Sequence, residues 1–215
     1  MIKYKNNARF AGAMFLMAMV ASLTGGTLIQ GVLDKPDFMT LISSEKEMMI
    51  VGIVLEFTNA FAVIGIIAAL WVPLKKTSPS MAVGYFGLRI IESMSCVIAA
   101  FAPIVIMAFP GQETDVLPFA IILNVVRANV ISYAIPLFFG IGGLLLNVML
   151  YRAHLVPKYL AVWGIIAAPA VMLNMFVPAG EMKPLLALPI IANEIYLGIY
   201  LLVTGFQDNK GTIRG

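Results

Sequence analysis

Six long apolar runs, separated by short breaks that hold most of the charge, leave this chain few ways to fold. The runs cover roughly residues 10–32, 48–72, 81–109, 116–151, 158–178 and 185–206. A helix needs about 20 apolar residues to cross a hydrocarbon layer about 30 Å thick, and each run reaches that length. Of 215 residues, 61% are hydrophobic and 12% charged, whereas a soluble domain carries about 25% charged residues. A water-soluble core of this size could not hide so much apolar surface, and the connectors leave no room for a separate soluble domain. The expected architecture is all-α, a polytopic transmembrane bundle of six helices forming one domain over residues 1–215.

Local signals mark the ends of the spans. The first run follows Lys3, Lys5 and Arg9; it is longer than the roughly 7–15 residues of a signal-peptide core and is read as an uncleaved helix. Ser44 and Glu47 have the spacing of a capping box before the second span, which Pro73 is expected to end. Ser78 and Pro79 open the third, and Pro110 and Gly111 close it. The fourth run contains Pro118 and Pro136, and Pro136 should kink it, because proline lacks a backbone donor and crowds the preceding turn. Whether its first ten residues lie in the bilayer or at its surface is open. The fifth span starts near Pro157 and ends near Pro178.

Alternating the sides of the membrane places Lys3, Lys5, Arg9, Lys75, Lys76, Arg152, Lys158, Lys210 and Arg214 in the cytoplasm. Only Lys35, Lys46 and Lys183 fall outside, which satisfies the positive-inside rule with both termini cytoplasmic. The expected location is the bacterial cytoplasmic membrane. Trp71 and Trp163 suit an aromatic belt. The net charge of +3 therefore reads as a topology signal and not as a nucleic-acid surface. One cysteine, Cys96, and one histidine, His154, exclude an intrachain disulfide and a Cys/His metal cluster, so no metal or cofactor is expected. Membrane lipids are the expected surroundings, and the oligomeric state is open. Ala18, Ser22 and Gly26, and Gly140, Gly143 and Asn147, form small or polar stripes suited to close helix packing.

Five ionisable residues fall inside the spans: Glu56, Arg89, Glu92, Arg127 and Glu194. Each would cost at least about 2.5–3.5 kcal/mol at a bilayer centre, so all should face the bundle interior. Arg89 and Glu92 are three residues apart on one helical face, with Tyr85 a turn before and Cys96 a turn after. Glu56 and Asn59 share a face, Asn124 precedes Arg127 by one turn, and Asn193, Tyr196 and Tyr200 form a stripe with Glu194 beside it. Polar faces on four helices point to one shared polar centre. Three glutamates against two arginines leave one carboxyl that is either protonated or met by a cation. Glu56 or Glu194 is the candidate, since Glu92 has Arg89 within reach. Arg127 is the weakest member, since a helix entering the bilayer near Val125 would let it reach the outer interface. The opposing reading makes all five charges structural ties between helices.

Several chemistries find no residues to carry them. The chain has no phosphate-binding Gly-rich loop, no Gly-x-Ser-x-Gly elbow and no aspartate within the spans to hold magnesium. The order of landmarks does resemble a known family. Ala8-Arg9-Phe10-Ala11-Gly12, Leu88-Arg89-Ile90-Ile91-Glu92, Leu145 to Arg152 running into Leu155-Val156-Pro157-Lys158, and Asn193-Glu194 are similar to the bacterial membrane proteins named domain of unknown function 4386. The resemblance covers nearly the whole chain. It implies six helices with an Arg and Glu pair in the third, marks Arg89, Glu92 and Glu194, and brings no activity or ligand.

The leading functional expectation is a cavity that binds or moves a small amphipathic or lipid-like molecule, its polar head held by Arg89, Glu92 and Glu194. One alternative is a membrane enzyme using a buried glutamate as general acid or base on a lipid or isoprenoid. The other is a non-catalytic partner of a second membrane protein.

Overall fold

The computed structural model describes residues 2–109, 116–177 and 182–207. Eight α-helices follow one another: α1 (Ile2–Leu33), α2 (Phe38–Ser44), α3 (Lys46–Thr77), α4 (Pro79–Met107), α5 (Leu117–Asn129), α6 (Ile135–Arg152), α7 (Lys158–Leu173) and α8 (Met182–Val203). A π turn, Val130–Ala134, joins α5 to α6 without a break. Among the described residues there is no strand.

Contacts between helices run α1 to α3, α3 to α4, α4 to α6, α6 to α7, α7 to α8 and α8 back to α1. The six long elements therefore close into a ring, with α5 lying against α4. The ring turns apolar side chains outward and buries its charged residues inside. Phe61 and Ile166 are 73% and 71% exposed while Arg89 and Arg127 are 3% and 2% exposed, the reverse of a water-soluble domain. Five helices are long and apolar enough to cross a bilayer: Tyr4–Leu33, Lys46–Thr77, Pro79–Met107, Leu117–Arg152 and Leu185–Val203. The remaining ring member, α7, has 16 residues and a length of about 24 Å. The chain is a multi-pass membrane protein.

Two apolar cores cap the two ends of the ring. One gathers Phe15, Leu70, Leu74, Tyr85, Leu150 and Leu201; the other gathers Ile29, Phe38, Met49, Ile53 and Ile106. Along α3 and α4 the polar residues Glu56, Arg89, Glu92 and Ser93 fall between these two cores and are buried. The ring closes where α1 and α8 approach backbone to backbone. A Cβ built on Gly12 would lie 2.5 Å from the carbonyl oxygen of Gly198, so only glycine fits there.

Prolines shape the spans differently from the sequence expectation. Pro73 does not end α3, which runs on to Thr77 with Pro73 inside it. A proline within a helix strips the donor from the carbonyl four residues earlier, here that of Ala69. Asn7 of α1 supplies the missing donor, its Nδ2 lying 3.2 Å from the Ala69 oxygen. Pro103 likewise frees the Ala99 carbonyl in α4, and Arg127 of α5 donates to it at 2.6 Å. Around Pro136 the chain widens into the π turn instead, with the Ile135 N–H reaching back to the Val130 oxygen. The helix thus passes the proline unbroken. Ser44 also departs from its expected role: α3 starts at Lys46 without a side-chain cap, and Ser44 ends the unanticipated short helix α2, where its hydroxyl donates to the Leu41 oxygen. Pro110, Gly111 and Pro178 lie outside the described residues.

The Asn7 bond is open to a direct test. Asn7→Leu is expected to lower stability by about 1–3 kcal/mol, the cost of an unpaired buried carbonyl. In a Pro73→Ala background, where the helix regains its own N–H, unfolding in mixed micelles should show most of that loss gone. Equal losses in both backgrounds would refute the pairing.

Candidate functional site

Helix α4 carries the spine of the polar centre. Tyr85, Arg89, Glu92, Cys96 and Ala99 recur at intervals of four and three residues, which keeps them on one face over about 21 Å. Arg89 Nη1 donates to Glu92 Oε2 at 2.8 Å, an ion pair inside one helix. The Arg89 guanidinium also lies over the Phe139 ring of α6, 5.6 Å from its centroid. A Cβ on Gly142 would sit 3.2 Å from Arg89 Cδ, so the glycine makes room for the arginine stem. Two polar atoms here are buried without a hydrogen-bond partner: Arg89 Nε and the Tyr85 hydroxyl.

Glu194 of α8 faces this group. It lies within electrostatic reach of Arg89, Glu92 and Tyr85. It is only half-buried, so its carboxyl group can still be reached. Among the described residues two ion pairs form, Arg89 with Glu92 and Arg127 with Glu56, and Glu194 belongs to neither.

The second ion pair ties three helices. Arg127 Nη1 donates to Glu56 Oε2 at 2.8 Å and Nη2 donates to the other carboxylate oxygen, giving a two-pronged bond between α5 and α3. The same Nη1 serves the Ala99 carbonyl of α4. Between the two ion pairs Asn59 Nδ2 donates to Cys96 Sγ at 3.5 Å. Ser93 donates to the Ala60 carbonyl at 2.9 Å, and these bonds hold α3 against α4.

The expected residues therefore divide. Arg89, Glu92 and Tyr85 share one face of α4, with Glu194 of α8 within electrostatic reach, and Glu56, Arg127 and Asn59 line the interior nearer α5. Arg127 does not reach for the interface; it is almost fully buried because the Ala99 carbonyl and Glu56 satisfy it in place. That pairing removes Glu56 as a candidate for the unmatched carboxyl and leaves Glu194. Asn124 stands apart, donating to the Leu33 carbonyl that ends α1. Asn193 is fully buried but turns to α7, where it donates to the Leu160 carbonyl. Tyr196 lies on the opposite side of α8 from the interior: it is 44% exposed and its hydroxyl is 3.0 Å from that of Tyr159. Tyr200 is half-buried and packs beside the apolar core, away from the ion pairs. The inward face of α8 is set by Ile190, Leu197 and Leu201, and Glu194 shares it.

Sequence reasoning missed two polar contributors: Ser93 bonds to α3, and Asn7 serves α3. Asn147 of α6, expected only as part of a packing stripe, fills the space above Gly164 of α7. The signal for Asn7 and for Arg127 was the proline four residues beyond each receiving carbonyl.

A family model described as "Domain of unknown function (DUF4386)" matches residues 10–205. No curated protein and no solved structure matches the chain.

Proposed function

The chain belongs to the DUF4386 family, whose model covers nearly its whole length, and from that premise we propose that it binds or moves a small amphipathic molecule within its helix ring. The polar head sits between Arg89 and Glu92 on one side and Glu194 on the other. In this reading α7 completes six crossings, both termini lie in the cytoplasm, and the protein resides in the bacterial cytoplasmic membrane, in keeping with its nine basic residues on that side and three on the other.

One observation carries the proposal: in the interior of a membrane protein, where an unmet polar group is expensive, Arg89 Nε and the Tyr85 hydroxyl have no partner among the described residues, and Glu194 has no ion pair among them. A purely structural ion pair needs no such unfilled valences nearby. Groups that wait for a partner are what a head group would meet, and the apolar core below them, with Phe15, Leu197 and Leu201, suits an acyl or alkyl tail.

Equilibrium binding of dodecylamine, dodecanol and dodecanoate to the protein in phosphatidylcholine nanodiscs tests the reading, with empty nanodiscs as the baseline. At least one of the three should bind saturably to the wild type, and Glu194→Leu should weaken it at least about tenfold, the equivalent of one charge-assisted hydrogen bond. Binding no greater than in empty nanodiscs, or unchanged in Glu194→Leu, overturns it.

A further inference from the structure

We propose that the occupant is a cation, a protonated long-chain amine, and that it enters by displacing a proton from Glu194. The inference rests on the head-group reading above and adds the sign of the charge and its exchange partner.

Charge balance leads to it. Arg127 is neutralised by Glu56, and Arg89 by Glu92. What remains is the carboxyl of Glu194, which faces Arg89, Glu92 and Tyr85 on α4. On α8 itself its neighbour Asn193 is turned to α7. On α6, Asn147 donates within its own helix to the Gly143 carbonyl. Among the described residues, α1 and α7, which flank α8, bring no charged group within reach of it. An unpaired carboxyl in such a place is stable only in its neutral form or beside a positive charge. The exchange we propose therefore starts from the neutral carboxyl.

The chemistry of the surrounding atoms favours an amine over other heads. An ammonium group donates to the Glu194 carboxylate and, by a second N–H, to the Tyr85 hydroxyl oxygen, which can accept as well as donate. A hydroxyl beside the amine would accept from Arg89 Nε, which is otherwise unpartnered. A carboxylate head would instead meet Glu92 and Glu194 with a single guanidinium that is already engaged. A neutral alcohol satisfies Tyr85 and Arg89 but gives Glu194 no reason to ionise. The exchange is balanced without covalent change: the alkylammonium arrives charged, Glu194 releases one proton to water, and the complex holds an ammonium–carboxylate pair.

The same nanodiscs decide it. Alkylammonium ions keep their proton well above neutrality, as lysine does, so any pH dependence of binding near neutrality comes from the protein. Dodecylamine should bind more tightly than dodecanol or dodecanoate. Its affinity should rise by up to about tenfold per pH unit while Glu194 is protonated, with up to about one proton released per amine bound in weakly buffered solution. Glu194→Gln should abolish both the pH dependence and the proton release, while an unfolding curve in mixed micelles that matches the wild type shows that the variant is folded. Tighter binding of dodecanol or dodecanoate to the wild type overturns the cation assignment and leaves the head-group reading standing. Proton release that persists in Glu194→Gln overturns the exchange at this residue. If none of the three binds, the head-group reading falls and this inference with it.

Discussion

Glu56→Leu is expected to destabilise the folded bundle by about 3–5 kcal/mol, the cost of stranding a buried charge, as read by unfolding in mixed micelles. Arg127 cannot shed its proton, and without Glu56 its only remaining bond is to the Ala99 carbonyl. Removing both charges should recover much of the loss, because a well-packed apolar pair often matches a buried ion pair. Glu56→Leu with Arg127→Leu should still fall short of the wild type by about 1–3 kcal/mol, since the Ala99 carbonyl is then unpaired. Adding Pro103→Ala returns the missing helical N–H and should regain that remainder. A single Glu56→Leu variant as stable as the wild type would show that the pair holds nothing together.

The second large effect concerns ring closure. Gly12→Val should separate α1 from α8, because its side chain would meet the Gly198 carbonyl oxygen and the Leu202 backbone nitrogen, 2.5 and 2.6 Å from the Cβ position. Overpacking typically costs about 1–3 kcal/mol, and here main chain rather than a pliable side chain stands in the way. Gly26→Ala is the control: nothing lies within 4 Å of its Cβ position, so it should be neutral or gain up to about 1 kcal/mol of helix propensity. Cysteines placed at the outer faces of α1 and α8 for distance measurement would report the separation directly. Matching unfolding curves for Gly12→Val and Gly26→Ala would refute the close contact.

Much of the fold was legible because a bilayer permits so few solutions. Runs of apolar residues long enough to span gave the long helices, but not all their limits: α3 runs past Pro73 to Thr77, α7 ends at Leu173, and the short α2 carried no signal. The Gly140, Gly143 and Asn147 stripe also held, since Gly140 and Gly143 lie against Met172 and Ala168 of α7 and Asn147 against Gly164. On α1 the stripe was misplaced: Gly26 faces open space, and close approach occurs at Gly12 and Gly25. Sequence spacing identifies small faces but not which one a neighbour will use.

The site was legible on α4 because Arg89 and Glu92 meet within one helix, where spacing alone fixes geometry. Pairing between helices was not, and so Arg127 and Glu56 were separated in the reading although they bond directly. The stripe of Asn193, Tyr196 and Tyr200 failed for the same reason. Helical periodicity places residues on a common face, but only the packing of α8 against α1 and α7 turns Glu194 inward and Tyr196 out. Pro73 misled because a proline ends a helix only when nothing replaces its donor.

That replacement bears on how the chain is built. Synthesis runs from the first residue onward, so Asn7 is already in place when Pro73 leaves the ribosome, whereas Pro103 is made before Arg127. Until Arg127 follows, a nascent chain holding α1 to α4 carries both an unanswered oxygen at Ala99 and an acidic side chain at Glu56 without its counter-charge. The arrival of one arginine answers both groups at once.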